Sequence, residues 1–326
     1  MSTLELAVPA VAAFAITAAI AALLSRAPIS IALDQPNDRS LHSRPVPRTG
    51  GLAVLAGIAA GVALSSWMPS VTILGALALL LAVSFLDDLR GLPVAARLAC
   101  HFAAAAAVAR SMPAAEVATV VVVTLAIAWA INAYNFMDGS DGMAGGMAVT
   151  GFAAYGWIAA AAGDAGFAAA NLSAAAAAAA FLLFNFHPAR IFMGDAGSVP
   201  LGFLAAVLGL TGWERGLWSP WLPLLVFSLF LADATATLAR RMLAGERFWQ
   251  AHHDHYYQRL IRMGWSHRRT AIGAYALMLG AAAIALTLSG ESGTLQALVA
   301  AGWFAVLAAV MIAIELRWRR RALPPV

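Results

Sequence analysis

The chain has 326 residues, of which 62% are hydrophobic and only 11% charged, and its mean hydropathy is +0.81. Composition this apolar excludes an ordinary soluble domain and places the chain among polytopic membrane proteins. The net charge is +4, all 20 basic residues are arginine, and the lone cysteine, Cys100, excludes an intrachain disulfide.

Apolar runs long enough to cross a bilayer as helices, roughly 17–22 residues each, are predicted near residues 6–25, 50–67, 70–86, 96–110, 116–133, 145–162, 166–184, 198–213, 219–238, 271–289 and 295–315. The first run, Leu6 to Leu24, lacks a basic leader, so it reads as a span and not as a cleavable signal. Several runs are rich in alanine, as at Ala174 to Ala180, and small side chains let neighbouring helices approach closely. The expected fold is therefore all-α: a polytopic membrane bundle of about eleven transmembrane helices. It forms one domain over residues 1–326, with loops near 26–49, 87–97, 132–146, 185–197 and 239–270.

The arginines orient this bundle. With eleven spans, 18 of the 20 arginines fall on one side, and only Arg110 and Arg215 fall on the other. The positive-inside rule makes the arginine-rich side cytoplasmic, which puts the N-terminus outside and the C-terminus in the cytoplasm.

The unusual polar sequence collects on that same side. The first loop, Asp34 to Gly51, is stiffened by three prolines and carries Arg44 and Arg48, which are suited to gripping phosphate at a helix start. The second opens with Asp87-Asp88, and Arg90 and Arg97 follow. Adjacent acids at a helix end repel each other unless a cation or arginine neutralises them, so they suit metal binding or a general base. In the third, Asn132, Asn135, Asp138 and Asp141 recur every three residues. This spacing predicts one polar ridge on a helical turn, loosened by Gly139, Gly142, Gly145 and Gly146, and suited to a divalent cation carrying a phosphorylated substrate. The fourth runs from Asn185 to Ser198; Asp195 sits between Gly194 and Gly197 just before a helix, and Phe192 offers a flat platform for a base.

The largest inner segment, near 239–270, holds His252, His253, Asp254, His255, Tyr256, Tyr257, Gln258 and Arg259. Three histidines so close suggest zinc, but there is no neighbouring cysteine and no helical ligand spacing. Two other readings stay open: an interfacial amphipathic helix on anionic lipid, or His and Arg groups brought onto a diphosphate. Asp233, late in the ninth span, needs a partner, and Arg240 or Arg241 is in reach along the helix.

The stretch Asn135-Phe-Met-Asp138-Gly-Ser-Asp141-Gly-Met-Ala144, the run from Asn185 through Phe192 and Asp195 to Ser198, the Asp87-Asp88 pair and the Asp34–Gly51 loop together resemble the polyprenyl-phosphate N-acetylhexosamine-1-phosphate transferases, glycosyltransferase family 4. The motifs stand in the family order over most of the chain. The resemblance implies an all-helical enzyme of the bacterial inner membrane with its active site on the cytoplasmic face. Such an enzyme moves a sugar-1-phosphate from a UDP-N-acetylhexosamine to polyprenyl phosphate and releases UMP. It implies Mg²⁺, or Mn²⁺ in its place, with Asp195 as main metal ligand and Asp88 beside it. Asp87 would deprotonate or orient the lipid phosphate, with Asp88, Asp138 and His255 also in catalytic roles. Arg44, Arg48, Asn135, Asp141, Asn185, Phe192, His252 and Arg259 would bind the nucleotide sugar. A homodimer is compatible with this reading, and no nucleic acid partner is expected.

Two features depart from the family pattern. The usual His-x-His-His of the last inner loop reads His255-Tyr256-Tyr257-Gln258 here, a form that resembles the O-antigen-initiating branch using 6-deoxy sugars, and the family's phosphate-binding lysines are replaced by arginine. A tyrosine face beside an apolar sugar edge predicts preference for a 6-deoxy N-acetylhexosamine. The rival from another class is a lipid or ion transporter, since intramembrane acids also mark ion pathways. Transporters, however, place such acids at mid-membrane within repeated halves, and this chain shows no internal repeat.

Overall fold

The computed structural model describes residues 2–26, 33–34, 46–113, 116–247 and 252–322. Arg44 and His42 lie outside the described residues. In chain order the helices are α1 (Thr3–Arg26), α2 (Gly50–Leu64), α3 (Val71–Arg90), α4 (Val94–Ser111), α5 (Val117–Phe136), α6 (Met143–Ala161), α7 (Ala165–Asn185), α8 (Asp195–Glu214), α9 (Trp221–Val226), α10 (Ser228–Leu243), α11 (Tyr256–Arg262), α12 (His267–Leu288) and α13 (Gly293–Ala322). One short antiparallel ladder joins β1 (Leu33–Asp34) to β2 (Val46–Pro47).

Ten of the eleven apolar runs predicted from the sequence each coincide with one helix. Among the described residues, eight helices are long and apolar enough to cross a membrane by length and composition: α1, α3, α5, α6, α7, α8, α12 and α13. The ninth run was expected as one helix over 219–238 but is broken at Phe227 into α9 and α10. Its hydrogen-bond ladder carries on across the break, from Phe227 N to Pro223 O and from Leu231 N to Phe227 O. Pro220 and Pro223 stand at the N-cap and in the first turn of α9, where a missing amide breaks no helical hydrogen bond, so they mark where α9 starts. The predicted 132–141 ridge is also interrupted. α5 stops at Phe136, and a turn over Met137–Asp141 leads to Gly142, which begins α6 at φ 75°.

α6, α7 and α8 are buried over most of their length, whereas α1, α3 and α13 turn most of theirs outward. Leu4, Val8, Leu298 and Ile312 are among the large apolar side chains left exposed, as lipid-facing positions are. α7 packs against α1, α2 and α6, and α8 against α3 and α5. The alanine run of α7 makes these close approaches possible, because packing of small residues is what holds helices together in lipid.

One close backbone crossing lies beside the polar end of the bundle, where α2 and α8 begin. A Cβ on Gly51 would collide with Cα and N of Gly197 and stand 2.8 Å from the Met193 carbonyl oxygen. These are backbone atoms and cannot rotate aside. Gly51→Val is therefore expected to destabilise by about 3 kcal/mol or more through overpacking. The check is recovery of monodisperse protein and its thermal midpoint, set against Gly75→Val, a position with nothing within 4 Å. Equal recovery of the two variants would refute the close crossing.

Candidate active site

The site grows from the ends of three helices. α3 finishes with Asp87, Asp88 and Arg90 and is capped by Gly91 at φ 68°. Asp87 is nearly enclosed. Its Oδ1 accepts from Leu92 N at 2.5 Å, and its Oδ2 pairs with Arg97 Nη1 at 2.8 Å. Arg97, on the first turn of α4, also stands 3.4 Å from Asp195 Oδ2. One guanidinium therefore bridges the acid that ends α3 and the acid that begins α8.

Asp88 faces the start of α8. Its Oδ1 accepts from Asp195 N at 3.1 Å and its Oδ2 from Ala196 N at 2.9 Å. The first amides of a helix have no partner within the helix, and a carboxylate there satisfies them and complements the helix dipole. Asp88 thus anchors the element that carries Asp195. Gly194 precedes it at φ 72°, and a Cβ at that position would meet Asp88 Oδ2 at 2.9 Å and Arg48 Cβ at 3.2 Å. Arg48 enters through β2: Phe192 N donates to Pro47 O at 2.8 Å, and Gly50 N and Gly51 N donate to the Phe192 and Met193 carbonyls at 2.9 and 2.8 Å. Nothing in the sequence signals this backbone zipper, which sets Arg48 and Phe192 side by side at the site.

The remaining predicted polar residues first serve as cross-links. Asn185, buried at the end of α7, accepts from Gly142 N at 2.9 Å and donates to Ile191 O at 2.9 Å. Asp141 Oδ2 lies 2.7 Å from His187 Nδ1 and accepts from Ala189 N at 3.2 Å. Asn135 Oδ1 accepts from Ser198 Oγ at 2.8 Å. These bonds hold the 137–142 turn and the 185–195 loop at fixed separation, with Asp138 and Asp195 between them. His187 and Ser198 fell inside motifs noted in the sequence but carried no signal of these roles.

Asp138 is half-buried and close enough to Asp195 and Asp88 to feel both charges. Burial, and then these two carboxylates, push its carboxyl well above the usual range, while Arg48 opposes them. Clustered acids of this kind suit a hard divalent cation, which would reverse the local repulsion. Among the described residues, no three Asp, Glu, His or Cys side chains form a closed metal cage. Mg²⁺ requires no such cage, since it keeps several waters and takes one or two carboxylates plus substrate phosphate. The oxygen donors present, with Asp195 partly exposed at 28%, fit such an open site.

α11 brings the histidine segment against the same turn. Tyr257 donates its hydroxyl to Phe136 O at 3.3 Å, and the His255 ring lies 5.9 Å from that of Phe136. The expected partners of Asp233 are not the observed ones. Asp233 Oδ1 is 3.1 Å from His255 Nδ1, and its two oxygens accept from Tyr256 N and Tyr257 N at 3.0 and 3.2 Å. Arg240 instead meets Glu315, and Arg241 meets Asp254 and Glu246. The α11 amides satisfy the buried acid, so the arginines are left for Glu315 on α13 and for Glu246 and Asp254 between α10 and α11.

Arg259 is not brought into the carboxylate cluster. It is buried, paired with Glu315 and stacked near Trp318 at 5.2 Å, so using it on substrate would break a buried ion pair. His252 stacks on His255 at 5.0 Å. Burial, then the neighbouring His255 and Arg241, push it down to about 4, so at neutral pH it is an uncharged hydrogen-bonding group. Tyr257 and Gln258 are also buried, with the Gln258 Oε1 accepting from His255 N at 3.2 Å. Both side chains hold α11 in place.

The sequence pattern of Glycosyl transferase family 4 matches residues 70–212, the span that carries Asp87 through Asp195. The chain is 30% identical over 280 residues to a probable undecaprenyl-phosphate N-acetylglucosaminyl 1-phosphate transferase of Bacillus subtilis (strain 168), covering 79% of this chain and 78% of that one. This chain belongs to glycosyl transferase family 4. Within it, the chain falls among the polyprenyl-phosphate N-acetylhexosamine-1-phosphate transferases. It is also 32% identical to the decaprenyl-phosphate N-acetylglucosaminephosphotransferase of Mycolicibacterium smegmatis, over 75% of this chain and 72% of that one. The corresponding figures for the undecaprenyl-phosphate alpha-N-acetylglucosaminyl 1-phosphate transferase of Yersinia pestis are 29%, 80% and 76%. The apolar helices and these relatives make this family 4 chain a multi-pass membrane protein.

Proposed function

We propose that this protein transfers an N-acetylhexosamine-1-phosphate from a UDP-sugar to polyprenyl phosphate at the cytoplasmic face of the bacterial inner membrane, as the first lipid-linked step of a cell-envelope polysaccharide such as O-antigen. The observation that carries this reading is the start of α8: Asp195 is presented by Asp88 below it and Arg97 beside it, inside a loop pair that also holds Asp138 and Phe192. In the reaction an oxygen of the lipid phosphate attacks the sugar-bearing β-phosphorus of the donor. A new P–O–P bond forms to the lipid, the bond to the bridging oxygen breaks, and UMP leaves with that oxygen.

Both substrates are anions and repel each other unless positive charge lies between them. Asp195, with Asp138 beside it, would hold Mg²⁺, which supplies charge neutralisation for the diphosphate. Asp87, held by Arg97 and Leu92 N, orients the lipid phosphate, and Arg48 neutralises donor charge beside Phe192, which stacks on uracil.

The lipid tail has a berth of suitable character. An apolar groove of about 990 Å³ runs between α5, α8, α10 and α13, from Ala118 and Pro220 at one end to Ala133 and Ala239 at the other. The inner end lies next to the turn that bears Asp138.

The donor is a UDP-linked N-acetylhexosamine, and UDP-GlcNAc is the first to test because the relatives are named for that sugar. The test uses purified protein with polyprenyl phosphate, Mg²⁺ and a panel of UDP-N-acetylhexosamines that includes the 6-deoxy forms. Equal amounts of UMP and sugar–diphosphate–lipid are expected. No turnover with any donor would overturn the transferase reading in favour of a transporter.

A further inference from the structure

We propose that Asp233 of α10 is the positioning residue for His255, fixing the ring so that its Nδ1 carries the proton and Nε2 is left as an acceptor for a hydroxyl or amide N–H of the donor's sugar. The inference rests on the proposed transferase reading for the contact between His255 and the donor. The geometry of the pair stands apart from that reading.

Asp233 is buried inside the bundle, where a carboxylate is retained only with a full set of donors. The structure supplies them. Thr237 Oγ1 donates at 3.1 Å, Tyr256 N at 3.0 Å and Tyr257 N at 3.2 Å, and His255 Nδ1 stands 3.1 Å from Oδ1. An ionised carboxylate only accepts, so the imidazole nitrogen facing it must be the one bearing hydrogen. A ring held this way has one tautomer and one orientation, and its second nitrogen is defined as the ligand-facing atom.

The ring is confined on its other sides as well. His252 stacks on it at 5.0 Å, Phe136 lies 5.9 Å away, and His255 N donates to Gln258 Oε1 at 3.2 Å. Phe136 is the last residue of α5, two positions before Asp138. The same carboxylate that orients His255 also fastens the α11 N-terminus to α10, and Tyr257 in turn bonds the end of α5 that leads to the acid cluster. A base or acid held by a third group is the general arrangement of a tuned catalytic imidazole. A capping role alone would need only the two amide bonds and would leave the ring free.

A double-mutant cycle separates the two roles. Asparagine keeps the shape of Asp233 and one acceptor oxygen for the α11 amides, but it cannot hold the imidazole as a carboxylate does. Asp233→Asn is expected to lower kcat/KM about 10²-fold and to lower the thermal midpoint as well, because the Tyr257 amide loses its acceptor, so the cycle is read on kcat/KM. In a His255→Gln background the same change should cost less than about threefold, since residues acting as a unit are not additive. Equal losses in both backgrounds would mean that Asp233 only caps α11, and the proposal would fail. Near-wild-type turnover by either single variant would also sink it.

A second readout does not depend on turnover. In ¹⁵N-histidine-labelled protein in nanodiscs, with His255 assigned by its loss in His255→Gln, Nδ1 should carry the proton in the wild type and lose that preference in Asp233→Asn. An unprotonated Nδ1 in the wild type overturns the proposal. If the wild type turns over no UDP-sugar, the transferase reading fails by itself, and the tautomer still decides the pairing.

Discussion

Asp195→Asn is expected to lower turnover by at least about 10³-fold, a loss of several kcal/mol of transition-state stabilisation from one charge-neutralising site. An amide cannot supply the anionic oxygen a divalent cation requires. The fold should survive the change. The Asp195 backbone amide is held by Asp88 whatever its own side chain is, and Arg97 keeps its stronger partner, Asp87, at 2.8 Å. The variant should therefore insert, purify and melt like the wild type, and UMP release should stay absent across a Mg²⁺ titration. Turnover near the wild-type rate at any Mg²⁺ concentration would remove Asp195 from the metal.

The second large effect is expected at Asp88, for a different reason. Asp88→Ala leaves the amides of Asp195 and Ala196 without acceptors, at about 1–3 kcal/mol for each unsatisfied donor. It also frees the first turn of α8 to shift, carrying Asp195 with it. Both thermal midpoint and kcat should fall, the latter by about 10²-fold, the scale at which misplacement of a reacting group by a small distance is felt. Asp88→Asn keeps one carbonyl oxygen and should lie between the two in stability. A normal melting profile for Asp88→Ala would show that the α8 anchor is not needed. An Asp88→Asn defect rescued by excess Mg²⁺ would show that Asp88 acts through the cation rather than the helix.

The site was only partly legible in the chain. Asp87, Asp88, Asp138 and Asp195 announce themselves because acids at the ends of apolar runs are costly, and each does reach the cluster. Their division of labour is not visible in the sequence. Asp87 and Asp88 are neighbours in the chain, yet one takes an arginine from α4 and the other the first amides of α8. Spacing suggested a continuous ridge from Asn132 to Asp141, but the helix ends at Phe136, and Asn135 and Asp141 point to different partners. Arg259 looked like a phosphate ligand because its charge is visible and Glu315, 56 residues later, is not.

What the amino-acid sequence determined by itself is the membrane bundle, its near-continuous helices and the end of the bundle where the acids gather. Those properties are sums over local stretches: transfer of apolar residues into lipid, intrahelical hydrogen bonding, and the bias of arginine toward one side. What only the tertiary structure decided is who partners whom: Arg97 between Asp87 and Asp195, Asp88 beneath α8, and Asp233 against His255. A buried polar group needs a partner, but the strength of that need does not name one. Geometry names it, when helix ends distant in the chain are brought within about 3 Å and the nearest donor satisfies the nearest acceptor.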